Sequence, residues 1–135
     1  MSFKKIAFVL VLLIFIAFYV VGKSDKIATK LQEFADKNYI EKNISRHEKI
    51  SFFNIEYCYW TAKYEFGLTL IEKYMERYNL EENREKAQYM KAKYYDANLN
   101  HRQASEEYKK FFEEFPFSKK AEKAKQRYME IKSYL

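Results

Sequence analysis

Laid on itself at a shift of 37 residues, the second half of this chain repeats its own order of small and large side chains. Gly67 meets Ala104, Ile71 meets Tyr108, Tyr74 meets Phe111, Met75 meets Phe112, Tyr78 meets Phe115 and Ala87 meets Ala124. Lys73 and Glu76 recur as Lys110 and Glu113. A period of this length belongs to helical hairpins stacked side by side, where each unit buries its apolar face on the next. The register slips further on: Tyr89-Met90 returns as Tyr128-Met129 at a shift of 39, as a change in loop length would produce.

The spacing inside each unit is helical. Gly67, Ile71, Tyr74, Met75 and Tyr78 follow the steps i, i+4, i+7, i+8, i+11, and Ala104, Tyr108, Phe111, Phe112 and Phe115 repeat them. These read as the second helices of two hairpins. The first helices carry apolar residues on two faces. In residues 83–97 one face holds Ala87, Met90, Tyr94 and Ala97, and the other Tyr89, Ala92 and Tyr95. In residues 48–62 one line holds Ile50, Phe53, Tyr57 and Trp60, and the other Ile55, Cys58 and Ala62. Helices of that kind are expected to be sandwiched between neighbours. Asn79 and Asn83 bracket one turn and Asn98 and Asn100 another, and Pro116 forces Phe115 out of helical geometry. Ser118 is then expected to cap a last helix, whose stripe of Ala121, Ala124, Tyr128, Ile131 and Leu135 closes the stack. A further amphipathic stretch at residues 24–38 runs through Ile27, Leu31, Phe34 and Ala35.

Two glycines and one proline are too few for a turn-rich β protein, so the expected fold is all-α. With 13 Tyr and 12 Phe, its helices must pack through rings. The single cysteine, Cys58, has no internal disulfide partner and reads as a small buried hydrophobe, with a reactive thiol or an intermolecular bridge as alternatives.

The run from Ile6 to Gly22 contains no charge and lies between Lys4-Lys5 and Lys23. At 1.5 Å per residue it covers roughly 25 Å, and it is expected to form an N-terminal transmembrane helix with lysines snorkelling at both ends. A signal peptide cleaved after Gly22 is the rival. The expected organisation is a membrane anchor at 1–22, a connector with an amphipathic helix at 23–46 and a helical-repeat domain at 47–135. The expected location is the inner (cytoplasmic) membrane, single-pass, with the C-terminal domain extracytoplasmic or periplasmic. The net charge of +6 is mixed along the chain, which describes solvated helix faces rather than a nucleic-acid groove.

The stretch from Ala87 to Tyr128 resembles the tetratricopeptide repeat. Ala92 falls at the small position of the first helix, Tyr95 at the aromatic position after it, Ala104 at the small position opening the second helix, Tyr108 at its aromatic position and Pro116 at the terminal proline. The part from Tyr108 to Tyr128 resembles repeats of bacterial envelope tetratricopeptide proteins, of the outer-membrane assembly lipoprotein and periplasmic cell-division coordinator types. Lys91 departs from the pattern where an apolar residue belongs, as does Asn79 where the earlier unit would have proline, and there is no lipid-accepting cysteine. The resemblance implies a right-handed stack of antiparallel hairpins whose first helices line a protein-binding groove. The groove-facing positions it implies are Phe52, Glu56 and Tyr59 in one unit and Tyr89, Lys93 and Asp96 in the next, with core packing the competing role for the three rings.

Nothing in the sequence carries enzymatic chemistry. His47 and His101 have no second ligand at helical spacing, and the acid pairs Glu81-Glu82, Glu106-Glu107 and Glu113-Glu114 read as solvated faces. No phosphate loop or nucleophile elbow occurs, so neither a cofactor, a metal nor a small-molecule substrate is expected. The expected function is a membrane-anchored adaptor or scaffold in a bacterial envelope complex, of the secretion, pilus, flagellar-motor or cell-wall kind. Its expected partners are proteins, together with the lipid bilayer around residues 6–22. Alternatives are a small accessory subunit of a membrane complex and a periplasmic chaperone released by signal cleavage.

Overall fold

The computed structural model describes residues 3–135. It is all-α, with seven helices among the described residues: α1 (Phe3–Gly22), α2 (Ser24–Tyr39), α3 (Ile44–Trp60), α4 (Tyr64–Arg77), α5 (Glu81–Ala97), α6 (His101–Glu114) and α7 (Ala121–Lys132). From α2 to α7 each helix packs on the next in chain order. The helices α3 and α5 both run 17 residues, α4 and α6 both run 14, and every boundary of the second pair lies 37 residues beyond its counterpart. The sequence period is therefore a period of backbone geometry.

The turns explain why the period is kept. Ala62 and Leu99, again 37 apart, hold left-handed backbone at φ 56° and 59°. The N–H of Lys63 donates to the carbonyl of Cys58 at 2.8 Å, and that of Asn100 donates to Tyr95 at 2.9 Å. The N–H of Ala62 reaches Tyr59 at 3.2 Å and that of Leu99 reaches Asp96 at 3.1 Å. This pair of bonds is the Schellman closure, which satisfies the last carbonyls of a helix and turns the chain back at once. Both hairpins are antiparallel. Glu48 near the start of α3 meets Tyr74 near the end of α4, and Arg84 near the start of α5 pairs with Glu114 at the end of α6.

Two apolar clusters fill the stack, and α5 serves both. Ala87, Met90 and Tyr94 join Ile55, Cys58, Leu70, Ile71, Tyr74 and Tyr78. Tyr89 and Ala92, from its other face, join Ala104, Tyr108, Phe111, Phe115, Ala124 and Ile131. Helix α5 is thus sandwiched, as its two apolar faces require. Helix α3 is not. Ile55 and Cys58 are fully buried, but Phe53 and Trp60 are 50% and 67% exposed. The reason lies in α2, which lands on a different line of α3, with Asn54 donating to the Ala28 carbonyl and Gln32 to Ser51.

Gly67 marks the closest approach between helices, since a Cβ there would overlap the ring of Tyr94. That ring is fully buried, and its hydroxyl donates to the carbonyl of Ile55. Ala104, the matching position of the second hairpin, is also fully buried but keeps its methyl group. Lys91, which departs from the repeat pattern, is accommodated by an ion pair with Glu107 at 3.0 Å. Burial lowers the Lys91 pKa, but the bond and charge of Glu107 outweigh this and raise it. Phe115 leaves helical geometry at φ −122°, ψ 61°, before Pro116. Ser118 does not cap the last helix: its hydroxyl accepts from the Lys120 N–H at 3.1 Å and donates to Glu85 at 2.8 Å, and α7 begins only at Ala121.

The transmembrane helix expected between Ile6 and Gly22 is corrected. Among the described residues no helix is long and apolar enough to cross a membrane. The side chains of Ala7, Phe8 and residues 18–21, which that expectation also used, lie outside the described ones. The fold class is therefore all-α without a transmembrane element among the described residues, and the single-pass inner-membrane location falls with it. Helix α1 makes a thin contact with α2, and the apolar side chains of residues 9–16 stand exposed.

Candidate functional site

The first helices of the hairpins and the closing helix share one side of the stack. On α5, Tyr89, Lys93 and Asp96 follow i, i+4, i+7 and point the same way. Tyr59 reaches them from the end of α3, and Lys123 and Arg127, four residues apart on α7, close the far side. Together with Ala97 and Tyr108 they line a groove of about 470 Å³.

Rings form its floor and ammonium groups lie over them. The Lys93 Nζ stands 4.3 Å from the centre of the Tyr59 ring, and the Lys120 Nζ stands 5.0 Å from that of Tyr89. The rings themselves are fixed from below. Tyr59 lies 5.4 Å from Tyr94, and Tyr89 lies 5.1 Å from Phe111 and 6.2 Å from Tyr108. The one carboxylate in the groove is already engaged. Arg127 donates to both oxygens of Asp96, at 2.7 and 2.8 Å, and the Tyr108 hydroxyl donates at 3.3 Å. Burial pushes the Asp96 carboxyl up, but these bonds and the Arg127 charge hold it below the usual carboxylate range. The Lys93 pKa is lowered as well, which in a lysine disfavours the charged form. Burial lowers its pKa first, the charges of Lys123 and Lys120 lower it further, and Glu56 opposes them only weakly.

Of the six positions the sequence put forward, Tyr59, Tyr89, Lys93 and Asp96 line the groove. Phe52 does not. It packs 5.4 Å from Tyr74 in the first cluster, beneath Lys86. Glu56 is half-buried on α3 and touches the groove only through its charge on Lys93. Lys120, Lys123 and Arg127 were missed because α7 lies where the repeat register slips.

A second constellation also escaped the sequence. His47, fully buried on α3, places Nε2 2.7 Å from Asp36 on α2 and Nδ1 against the hydroxyl of Tyr78 just past α4. Gln32 donates to Asp36 at 3.1 Å, and Arg77 stands 3.4 Å from it. Burial pushes the Asp36 carboxyl up, but the bonds from His47 and Gln32 and the nearby positive charges bring it below its ordinary value. The cluster ties three helices together beside a cleft of about 500 Å³. Both imidazole nitrogens are satisfied within the protein, which describes a structural histidine. Among the described residues no group of three or more His, Cys, Asp or Glu is placed to hold a metal ion.

Fold and groove together define a short stack of helical hairpins with one concave, cation-rich side. No family model, no curated protein and no solved structure matches the chain.

Proposed function

We propose that this protein is a tetratricopeptide-like interaction module, an adaptor or scaffold whose groove across α3, α5 and α7 holds a segment of a partner protein. The observation that carries this reading is convergence. Tyr59, Tyr89, Lys93 and Asp96, singled out by a resemblance to peptide-binding repeats, come together on one groove with two residues of α7. Rigid rings with polar groups at their edges are the surface that holds an extended or helical segment at low entropic cost.

The test places a photo-crosslinking residue at Lys123 in the groove or at Lys110 on the exposed back of α6, in the full chain inside its own cells. Groove crosslinks to a defined protein band, removed by Ala97→Trp and absent from position 110, are the expected result. Equal capture from both positions, or capture indifferent to Ala97→Trp, removes the reading.

A further inference from the structure

We infer that the occupant of the groove is an acidic polypeptide segment, which sets side-chain carboxylates among Lys93, Lys120 and Lys123; the inference rests on the groove being the binding surface. Elsewhere in the stack the partly buried lysines have partners: Lys63 pairs with Asp25, Lys86 with Glu48 and Lys91 with Glu107, and the exposed Arg84 pairs with Glu114. Around the groove the balance is reversed. Among the described residues Lys93, Lys120 and Lys123 make no ion pair; the carboxylate that lines the groove, Asp96, is taken on both oxygens by Arg127, and Glu56 reaches Lys93 only through its charge. Three like charges converge there, one of them half-buried: burial depresses the Lys93 pKa, and the charges of Lys123 and Lys120 lower it further against the opposing charge of Glu56. An arriving carboxylate relieves that repulsion, so the site is complementary to negative charge before any ligand is present.

The geometry also separates a peptide from a nucleic acid. Single-stranded nucleic acids are held by bases stacked on open aromatic faces, with arginine on the phosphates. Here the outward faces of Tyr59 and Tyr89 are covered by the ammonium groups of Lys93 and Lys120, and the groove's guanidinium, Arg127, is committed to Asp96. What remains open is a row of compact point charges above an apolar floor. That suits glutamate and aspartate side chains interleaved with apolar ones.

The experiment measures fluorescence anisotropy with the full-length protein and three labelled probes: a short Glu/Leu peptide, its Gln/Leu counterpart, and a single-stranded oligonucleotide of equal charge. The acidic peptide is expected to bind and the glutamine peptide to fail. Replacing Lys93, Lys120 and Lys123 together by Gln should weaken binding by on the order of tenfold or more, with a shallower salt dependence. Lys109→Gln with Lys110→Gln, on the exposed back of α6, should leave it unchanged. A circular-dichroism spectrum identical to the parent's shows that the triple variant is folded. In the parent, the Lys93 pKa followed by NMR should rise when the acidic peptide is added. Equal loss in the two lysine variants, or tighter binding of the oligonucleotide, overturns the inference. If the glutamine peptide binds as well as the acidic one and Ala97→Trp abolishes both, the acidic occupant is wrong and the groove reading stands. If no peptide binds and Ala97→Trp also leaves the cellular crosslinks intact, both fall.

Discussion

The two hairpins have the same backbone and different chemistry in the same slots. Tyr74 on α4 and Tyr78 just past it correspond to Phe111 on α6 and Phe115 just past it, and the residues facing them change in step. In the first hairpin His47 meets the Tyr78 hydroxyl and Glu48 accepts from the Tyr74 hydroxyl. In the second the matching residues are Arg84 and Glu85, and the phenyl rings offer them nothing polar. They turn outward instead, Arg84 to Glu114 and Glu85 to Ser118. The flanks follow the same division. Helix α2 is held to α3 by Gln32, Asp36, Ser51 and Asn54, whereas α7 buries Ala124 and Ile131 against the second cluster. A repeated fold thus needs repeated turns and repeated ring volumes. Whether a ring carries a hydroxyl is decided locally, by what stands opposite.

The largest test of that division sits in one matched slot. Phe111→Ala empties a fully buried ring site and should cost about 3–5 kcal/mol, whereas Tyr74→Phe removes only a hydroxyl bond to a carboxylate and should cost about 1–2 kcal/mol. Urea unfolding followed by circular dichroism measures both, and equal losses would show that volume is not the shared requirement. Next comes the close approach. Gly67→Ala forces the Tyr94 ring to move and should cost about 1–3 kcal/mol, while the inverse exchange, Ala104→Gly, should cost about 1 kcal/mol through helix propensity.

The acid limb separates the two flanks. Both Asp36 and Asp96 have folded pKa values below that of a free aspartate, so their stabilising contributions are complete above the free value and are lost as the pH falls through the folded values. Asp96→Asn should remove about 1–3 kcal/mol at neutral pH and flatten the acid limb. The side chain of Asp36 is 44% exposed, and solvent screening limits Asp36→Asn to about 1 kcal/mol or less. Stability measured from pH 7 to pH 2 checks both, and a parent whose stability does not fall at the acid end contradicts the sign. The smallest effect is shared. Ala62→Gly and Leu99→Gly relieve left-handed backbone in the same motif, and each should stabilise by about 0.5–1 kcal/mol. Clearly different gains would mean that the two turns are not equivalent.

What the sequence revealed follows from what has a period. The Schellman turns fix the distance from Ala62 to Leu99, so the 37-residue shift was visible, and the two apolar faces of α5 each keep helical spacing. The His47 cluster has no period. Its partners Asp36 and Tyr78 lie 11 and 31 residues away and are brought in by two different helix packings. Phe53 and Trp60 misled because an apolar line does not say whether a neighbour covers it. In the groove, Tyr59, Tyr89, Lys93 and Asp96 came through likeness to a repeat, whereas Lys120, just before α7, and Lys123 and Arg127 on it lie where the register had slipped. The charge balance of the groove depends on those last three, so it became readable only in three dimensions.

Cys58 sits fully buried between α3 and its neighbours, and its thiol is pushed up to about 11 by burial, with a further contribution from the charge of Asp25. In this environment an alkylating reagent reaches the sulfur only when the first cluster parts. The lone cysteine is therefore a built-in clock. Its modification rate counts openings of the joint between the hairpins, and slowing of that rate by an added peptide would register an occupied groove from the opposite side of α5, with no label introduced.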